Sequence, residues 1–281
     1  MNSTAKELKF TSPSFTERLR GMLGVDFYRL FHTPVFYIFL AISAIIPAMV
    51  SAMTMMPDQN GNTMEPLYSN VWQIIAADES LYVINTIADY ANMNMVFIFG
   101  GIMVSIFIGH DYKSGYVKQL FTTHPKKQDY MMSKSLVSAF AVACMCISYL
   151  IGGTAAGLLV GYETDVNVLS LIIAILSKII MSLGWASLYT FLNIIFRRYF
   201  GLSIASSFFF GTGILIIGAA AIVENLSLPT SFLNIFLYGA SVNACLSSDI
   251  WALIICISVS VLWAVFYNVL GTHILSKSDV Y

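Results

Sequence analysis

Along this chain the apolar positions come in long blocks separated by short polar interruptions. Six blocks are long enough to cross a bilayer as helices: 35–56, 93–109, 135–160, 169–195, 202–223 and 251–275. A hydrocarbon core of about 30 Å takes about 20 helical residues. The second block is short, and its helix is expected to begin within 88–92. Strict apolar–polar alternation over about ten residues, the mark of a membrane barrel, is absent. The pattern predicts an all-α polytopic membrane protein, one transmembrane domain over 1–281.

Two polar-looking segments carry their own helical period. In 14–33, SFTERLRGMLGVDFYRLFHT, the residues Phe15, Leu19, Met22, Leu23, Phe27, Leu30 and Phe31 share one face. Ser14 and Glu17 have capping-box spacing, and Pro34 marks the break into the first span. Arg18, Arg20 and Arg29 suit anionic headgroups, so this helix is expected along the membrane surface. In 110–134, Val117, Leu120 and Phe121 make an apolar face on a short helix opened by Ser114-Gly115 and closed by His124-Pro125. A short amphipathic helix needs something to dock against, and another protein is the expected partner. The segment 224–250 is too apolar for a solvated loop, and its core SFLNIFLYGA is too short to span, which fits an interfacial or re-entrant helix. The segment 57–92 is expected to pack on the outer face.

Composition agrees: 58% of the 281 residues are hydrophobic, 10% are charged, and the mean hydropathy is +0.77. Soluble domains carry roughly 25% charged residues. Of the 14 basic residues, all but Lys178 lie in 1–34, 110–134, 196–201 or beyond 275, which share one side of a six-span chain. The segments 57–92, 161–168 and 224–250 hold acidic residues and no basic ones. The positive-inside rule then puts both termini and 110–134 in the cytoplasm of a cell-membrane protein. The first apolar run lacks a small-residue cleavage site and is expected to be retained as a span. Cys144, Cys146 and Cys256 lie within spans and Cys245 outside, so no disulfide framework is expected. The near-neutral net charge gives no reason to expect a nucleic-acid partner.

These residues carry a resemblance. Asp111-x-x-x-Gly115-x-x-Lys118, then Pro125-Lys126-Lys127, then Asp129-Tyr130-x-x-Ser133-Lys134 resembles the loop between the second and third spans of ABC-2 type permeases, the membrane subunits of ABC exporters with the type V, ABCG-like fold. The likeness extends over nearly the whole chain, with a longer 57–92 than the equivalent loop of many members. It implies that 110–134 holds a coupling helix docking into a separate ATPase subunit through Asp111, Gly115, Val117, Lys118, Leu120 and Phe121, with Asp111 and Lys118 at the rim. It implies that 14–33 is a connecting helix, with Arg18, Arg20, Phe27 and Arg29, and that 224–250 holds outer re-entrant helices. A second permease copy, identical or related, would complete a cavity lined by the second and fifth spans, here Phe99, Met103, Phe107, Phe209 and Thr212.

The chain has no GxxxxGK[ST], so ATP and magnesium belong to the partner, and no cofactor is expected on this chain. HExxH is absent as well. With few charges in the spans, the expected cargo is a hydrophobic peptide, such as a bacteriocin exported for secretion or self-immunity. A lipid or small drug-like molecule is the alternative. Two readings of other classes compete: a channel or scaffold, and an intramembrane serine protease using Ser203 of GLSI with His273. Ile204, where that protease pattern expects glycine, argues against the last.

Three further features invite a role. Lys178 reads as a functional intramembrane cation or, if its span starts near 174, as a snorkelling residue at the outer interface; we take the second. Gly153, Gly157 and Gly161 form a small-xxx-small face, expected to pack within one protomer. Methionines 53, 55, 56, 93, 95 and 103 offer adaptable apolar lining rather than a soft metal site.

Overall fold

The computed structural model describes residues 13–53, 55–57, 64–66, 87–123, 126–164, 168–227, 229–246 and 250–277. They form ten α-helices, a 3-10 segment and one antiparallel pair of three-residue strands, β1 (Met55–Pro57) and β2 (Met64–Pro66). The helices are α1 (Phe15–Phe31), α2 (Pro34–Met53), α3 (Ile87–Lys113), α4 (Tyr116–Thr123) and α5 (Lys127–Val160). Then come α6 (Val168–Ile195), α7 (Phe200–Gly211), α8 (Ile214–Asn225), α9 (Leu237–Leu246) and α10 (Ile250–Lys277).

Among the described residues, four helices are long and apolar enough to cross a membrane: α3 from Met95, α5, α6 from Leu171, and α10. A fifth is reached if α1 and α2 count as one span bent by 65°. The bend falls at His32–Thr33, just before Pro34, whose missing N–H costs nothing at a helix start. Ser14 caps α1 as its spacing predicts: the Glu17 carboxylate accepts from the Ser14 amide at 2.8 Å and the Ser14 hydroxyl accepts from the Glu17 amide. Those bonds from Ser14 hold the Glu17 carboxyl below its ordinary value of 4.5.

The block 202–223 does not form one continuous helix. It divides at Thr212–Gly213 into two 12-residue helices, α7 and α8. Gly213 adopts φ 71°, and a side chain there would collide with the Tyr238 ring from α9. Only glycine combines that backbone with that approach. The segment 224–250 does form short helices: Thr230–Ile235 is 3-10, and α9 returns against α6 and α10. Trp263 Nε1 donates to the Ile235 carbonyl at 2.7 Å, and Leu237 packs on Gly184. Most of 57–92, and the side chains of the methionines from 53 to 93, lie outside the described residues.

The largest core joins α2, α3, α5, α6 and α9 around Phe36, Phe97, Val142, Trp185, Tyr189 and Tyr238. Two crossings are unusually close. On α5 a Cβ at Gly152 would strike the Ala44 carbonyl of α2, and Ser148 Oγ donates to the Leu40 carbonyl. Gly153 and Gly157 are buried, while Gly161 ends the helix at φ 90°. In the second crossing Gly101, Ser105 and Gly109 of α3 face Ser207, Gly211 and Phe200 of α7 and Tyr189 of α6.

Candidate functional site

One face of α1 buries Met22, Asp26 and Leu30, a polar residue between two apolar ones at four-residue spacing. Asp26 therefore points into the bundle. Its Oδ1 accepts from Lys134 Nζ at 2.7 Å and its Oδ2 from Ser133 Oγ at 2.6 Å, both at the start of α5. Lys134 Nζ also reaches Asp111 Oδ2 of α3 at 2.6 Å, and Asp111 Oδ1 pairs with Arg29 of α1. The Arg29 guanidinium lies 3.9 Å from the Tyr116 ring centroid, and Lys134 Nζ lies 4.5 Å from that of Phe107. Two carboxylates and two cations thus form a charge-balanced cluster joining α1, α3, α4 and α5. Asp26, Asp111 and Lys134 are fully buried.

Such burial costs several kcal/mol per ion and is offset only when every charge keeps its partners. Around Arg29, burial opposes the charge, yet the neighbouring Asp111 leaves its pKa raised. Tyr116 is pushed up by burial and then by the Asp26 carboxylate, so it remains a neutral ring beneath the guanidinium. At the edge of the cluster, Arg18 Nε donates to Asp129 Oδ2 at 2.8 Å.

This arrangement revises the expected docking face. Val117 is buried among Met22, Tyr130, Met131, Ile194 and Leu275, so the apolar face of α4 is covered by its own chain. Leu120 and Phe121 pack against the same cluster, with Phe121 edge-on to Tyr130. Asp111 is not at a rim but at the centre of the ion cluster. Gly115 supplies the left-handed turn, φ 73°, between α3 and α4. The exposed side of α4 carries Lys118, Gln119, Thr122 and Thr123. On α1, Arg20 is exposed, and Phe27 packs against Phe31 and Phe140.

The expected cavity residues do not gather. Met103 and Phe107 are buried in the chain's own core, which removes them from any cavity open at its surface, and Phe99 packs against that core. Phe209 is exposed and edge-on to Phe210, and the Thr212 hydroxyl donates to the Phe209 carbonyl.

Ser203 is buried, and its hydroxyl donates to Asn193 Oδ1, while His273 is exposed on α10. Asn193 Nδ2 in turn donates to Ser105 Oγ at 3.1 Å. The serine belongs to a polar network tying α3, α6 and α7, not to a dyad. Lys178 is corrected too. Because α6 begins at Val168, Lys178 sits ten residues, about 15 Å, along it. It is buried beside Tyr149, Cys146 and Ile175, not snorkelling at an exposed helix end.

In the sequence Lys134 and Asp129 stand out only as parts of the pattern in 110–134, and Asp26 belongs to no motif. The available signal was an aspartate on the apolar stripe of an amphipathic helix, a place where an unpaired carboxylate is not tolerated. Searched against protein-family models and curated proteins, the chain matches none.

Proposed function

We propose that the chain is the permease subunit of an ATP-driven ABC exporter, acting as a pair of copies or with a related permease, in the cell membrane with both termini cytoplasmic. Separate ATPase subunits bind ATP and magnesium and dock beneath α1 and α4. The observation that carries this reading is the ion cluster. It fixes a surface-lying helix and a short inter-span helix to the end of α3 and the start of α5, so that force applied to α4 reaches the bundle. The resemblance in 110–134 supplies the identity of the partner. The apolar helices favour a hydrophobic or amphipathic cargo, with a membrane-active peptide ahead of lipids and drug-like molecules.

Since Val117 faces inward, the docking test belongs on the exposed side of α4. The chain would be co-expressed with a P-loop ATPase, sought first among the genes next to its own, and reconstituted together with it. Lys118→Glu combined with Thr122→Glu is expected to reduce co-purification of the ATPase and its peptide-stimulated hydrolysis, while thermal unfolding stays unchanged. Charge reversal at an interface rim acts first on association. Unaltered binding and hydrolysis in that variant, with unaltered peptide resistance in cells lacking the chain, would overturn the reading.

A further inference from the structure

The groove between α5, α6 and α10 has a volume near 520 Å³ and lies open along one side. That is the size of a small-ligand site. Its walls are Met132 and Leu136 of α5, Leu183 of α6, and Val265 and Val269 of α10. Its polar floor is already satisfied: Ser135 Oγ donates to Asn268 Oδ1 at 3.1 Å, and Asn268 Nδ2 donates to Ser187 Oγ and the Ala264 carbonyl. Nothing in the floor asks for a polar ligand. The occupant of the groove itself must be a chain of methylenes or something equally apolar.

Length and charge narrow it further. From Gln128 to Leu136 on α5, and from Thr272 back to Ala264 on α10, the groove runs about 12 Å. That is close to one leaflet, half of an about 30 Å hydrocarbon core. It ends at the basic end of the bundle. There Lys127 Nζ donates to the Leu275 carbonyl at 2.8 Å, joining the start of α5 to the end of α10. Lys126 and Lys277 are exposed on either side of that junction. The neighbouring Asp129 is buried and tied to Arg18, so it does not neutralise them. α10 is also the least covered of the four long apolar helices, with 22% of its apolar window buried against 50% to 61% in the others.

We infer that this groove holds one acyl chain of an anionic phospholipid of the inner leaflet, its headgroup lying between Lys126 and Lys277. The inference uses the inward orientation of the basic end and is independent of the transport reading.

The test reconstitutes the full chain in phosphatidylcholine vesicles containing a small fraction of phosphatidylglycerol with a mid-chain diazirine, followed by peptide mapping of the adducts. Adducts are expected at Met132, Leu136, Val265 and Val269, above those at the exposed Ile254 and Ile257 of α10. Unlabelled phosphatidylglycerol should compete where phosphatidylcholine does not. Lys126→Gln and Lys277→Gln should each reduce that preference about fivefold, the equivalent of about 1 kcal/mol per surface lysine. A phosphatidylcholine probe should still label the groove in both variants. Val265→Trp should abolish adducts at Leu136 without lowering thermal stability. Uniform labelling along α10 with equal competition by both lipids would mean ordinary surrounding lipid and overturn the inference. Efficient cross-linking of Val265→Cys to a second copy would overturn it too, because a protein would then cover the groove.

Discussion

The last turn of α3 and the stretch just before it are held by opposite means. At its Lys113 end, Asp111 is fixed by charges from two other helices, Lys134 on α5 and Arg29 on α1. In the preceding stretch, Gly101, Ser105 and Gly109 fix it by having almost no side chain, which lets the helix sit against Tyr189, Ser207 and Phe200. The ionic end depends on the presence of every partner. The small-residue stretch depends on absence, since any added atom meets a neighbour. Ion pairing inside a low-dielectric interior is strong and unforgiving, whereas small-residue contacts draw on dispersion and close backbone approach. A substitution that is harmless in one stretch is therefore damaging in the other.

The largest expected effect is at Lys134. Lys134→Met leaves Asp26 without its cation and is expected to cost about 3–5 kcal/mol. It should be read as a lower unfolding temperature of the purified chain and loss of monodisperse protein. Adding Asp26→Leu should recover part of the loss, because the double change leaves no orphaned charge there, and Asp111 keeps Arg29. Additive losses would show that the cluster is not a coupled unit.

The small-residue contacts come next. Gly152→Ala should cost about 1–3 kcal/mol, since the obstacle is the Ala44 backbone and the helices must part. Gly101→Ala should cost less, because its obstacle at 2.8 Å is the Tyr189 side chain and not a backbone. Equal unfolding temperatures for the two variants would break this ranking. Arg18→Ala, which leaves the buried Asp129 unpaired at the partly open edge of the ionic end, should cost about 1–3 kcal/mol.

The smallest effect concerns pH. The Glu17 carboxyl is depressed in the folded chain, so its contribution is complete above the ordinary value of 4.5 and fades as pH falls below it. Faster amide exchange in the first turn of α1 under acid is the expected reading, and Glu17→Gln should remove the pH dependence.

How much was legible in the sequence follows the range of each interaction. The cap at Ser14, the amphipathic α1, the short α4 and four long apolar helices are all local patterns, and they stand in the structure. The partner of α4 was not legible, because Val117 meets Met22 and Leu275 from the two ends of the chain. Nor was the ion cluster, whose Asp26 and Lys134 are 108 residues apart. The break at Gly213 carries no proline, and its cause is a tyrosine 25 positions later. The small-residue spacing occurs twice in the sequence, at Gly153, Gly157 and Gly161 and at Gly101, Ser105 and Gly109. The first set stands out by being all glycine, but nothing local names the neighbours of the second, Tyr189 and Phe200, which lie about 90 residues away.

The 34 residues of α5 make a rod about 50 Å long, well beyond an about 30 Å hydrocarbon core. Its first two turns carry Tyr130, Met131, Ser133 and Lys134, the contacts of α4 and α1, and its remainder packs on α2 and α6. There is no joint between these parts. A tilt of about 5° in so long a rod displaces one end by about 4 Å relative to the other. If the chain is driven from α4 as proposed, a push there would become a lateral displacement at Gly161, the far end of α5, with the helix itself setting the mechanical gain.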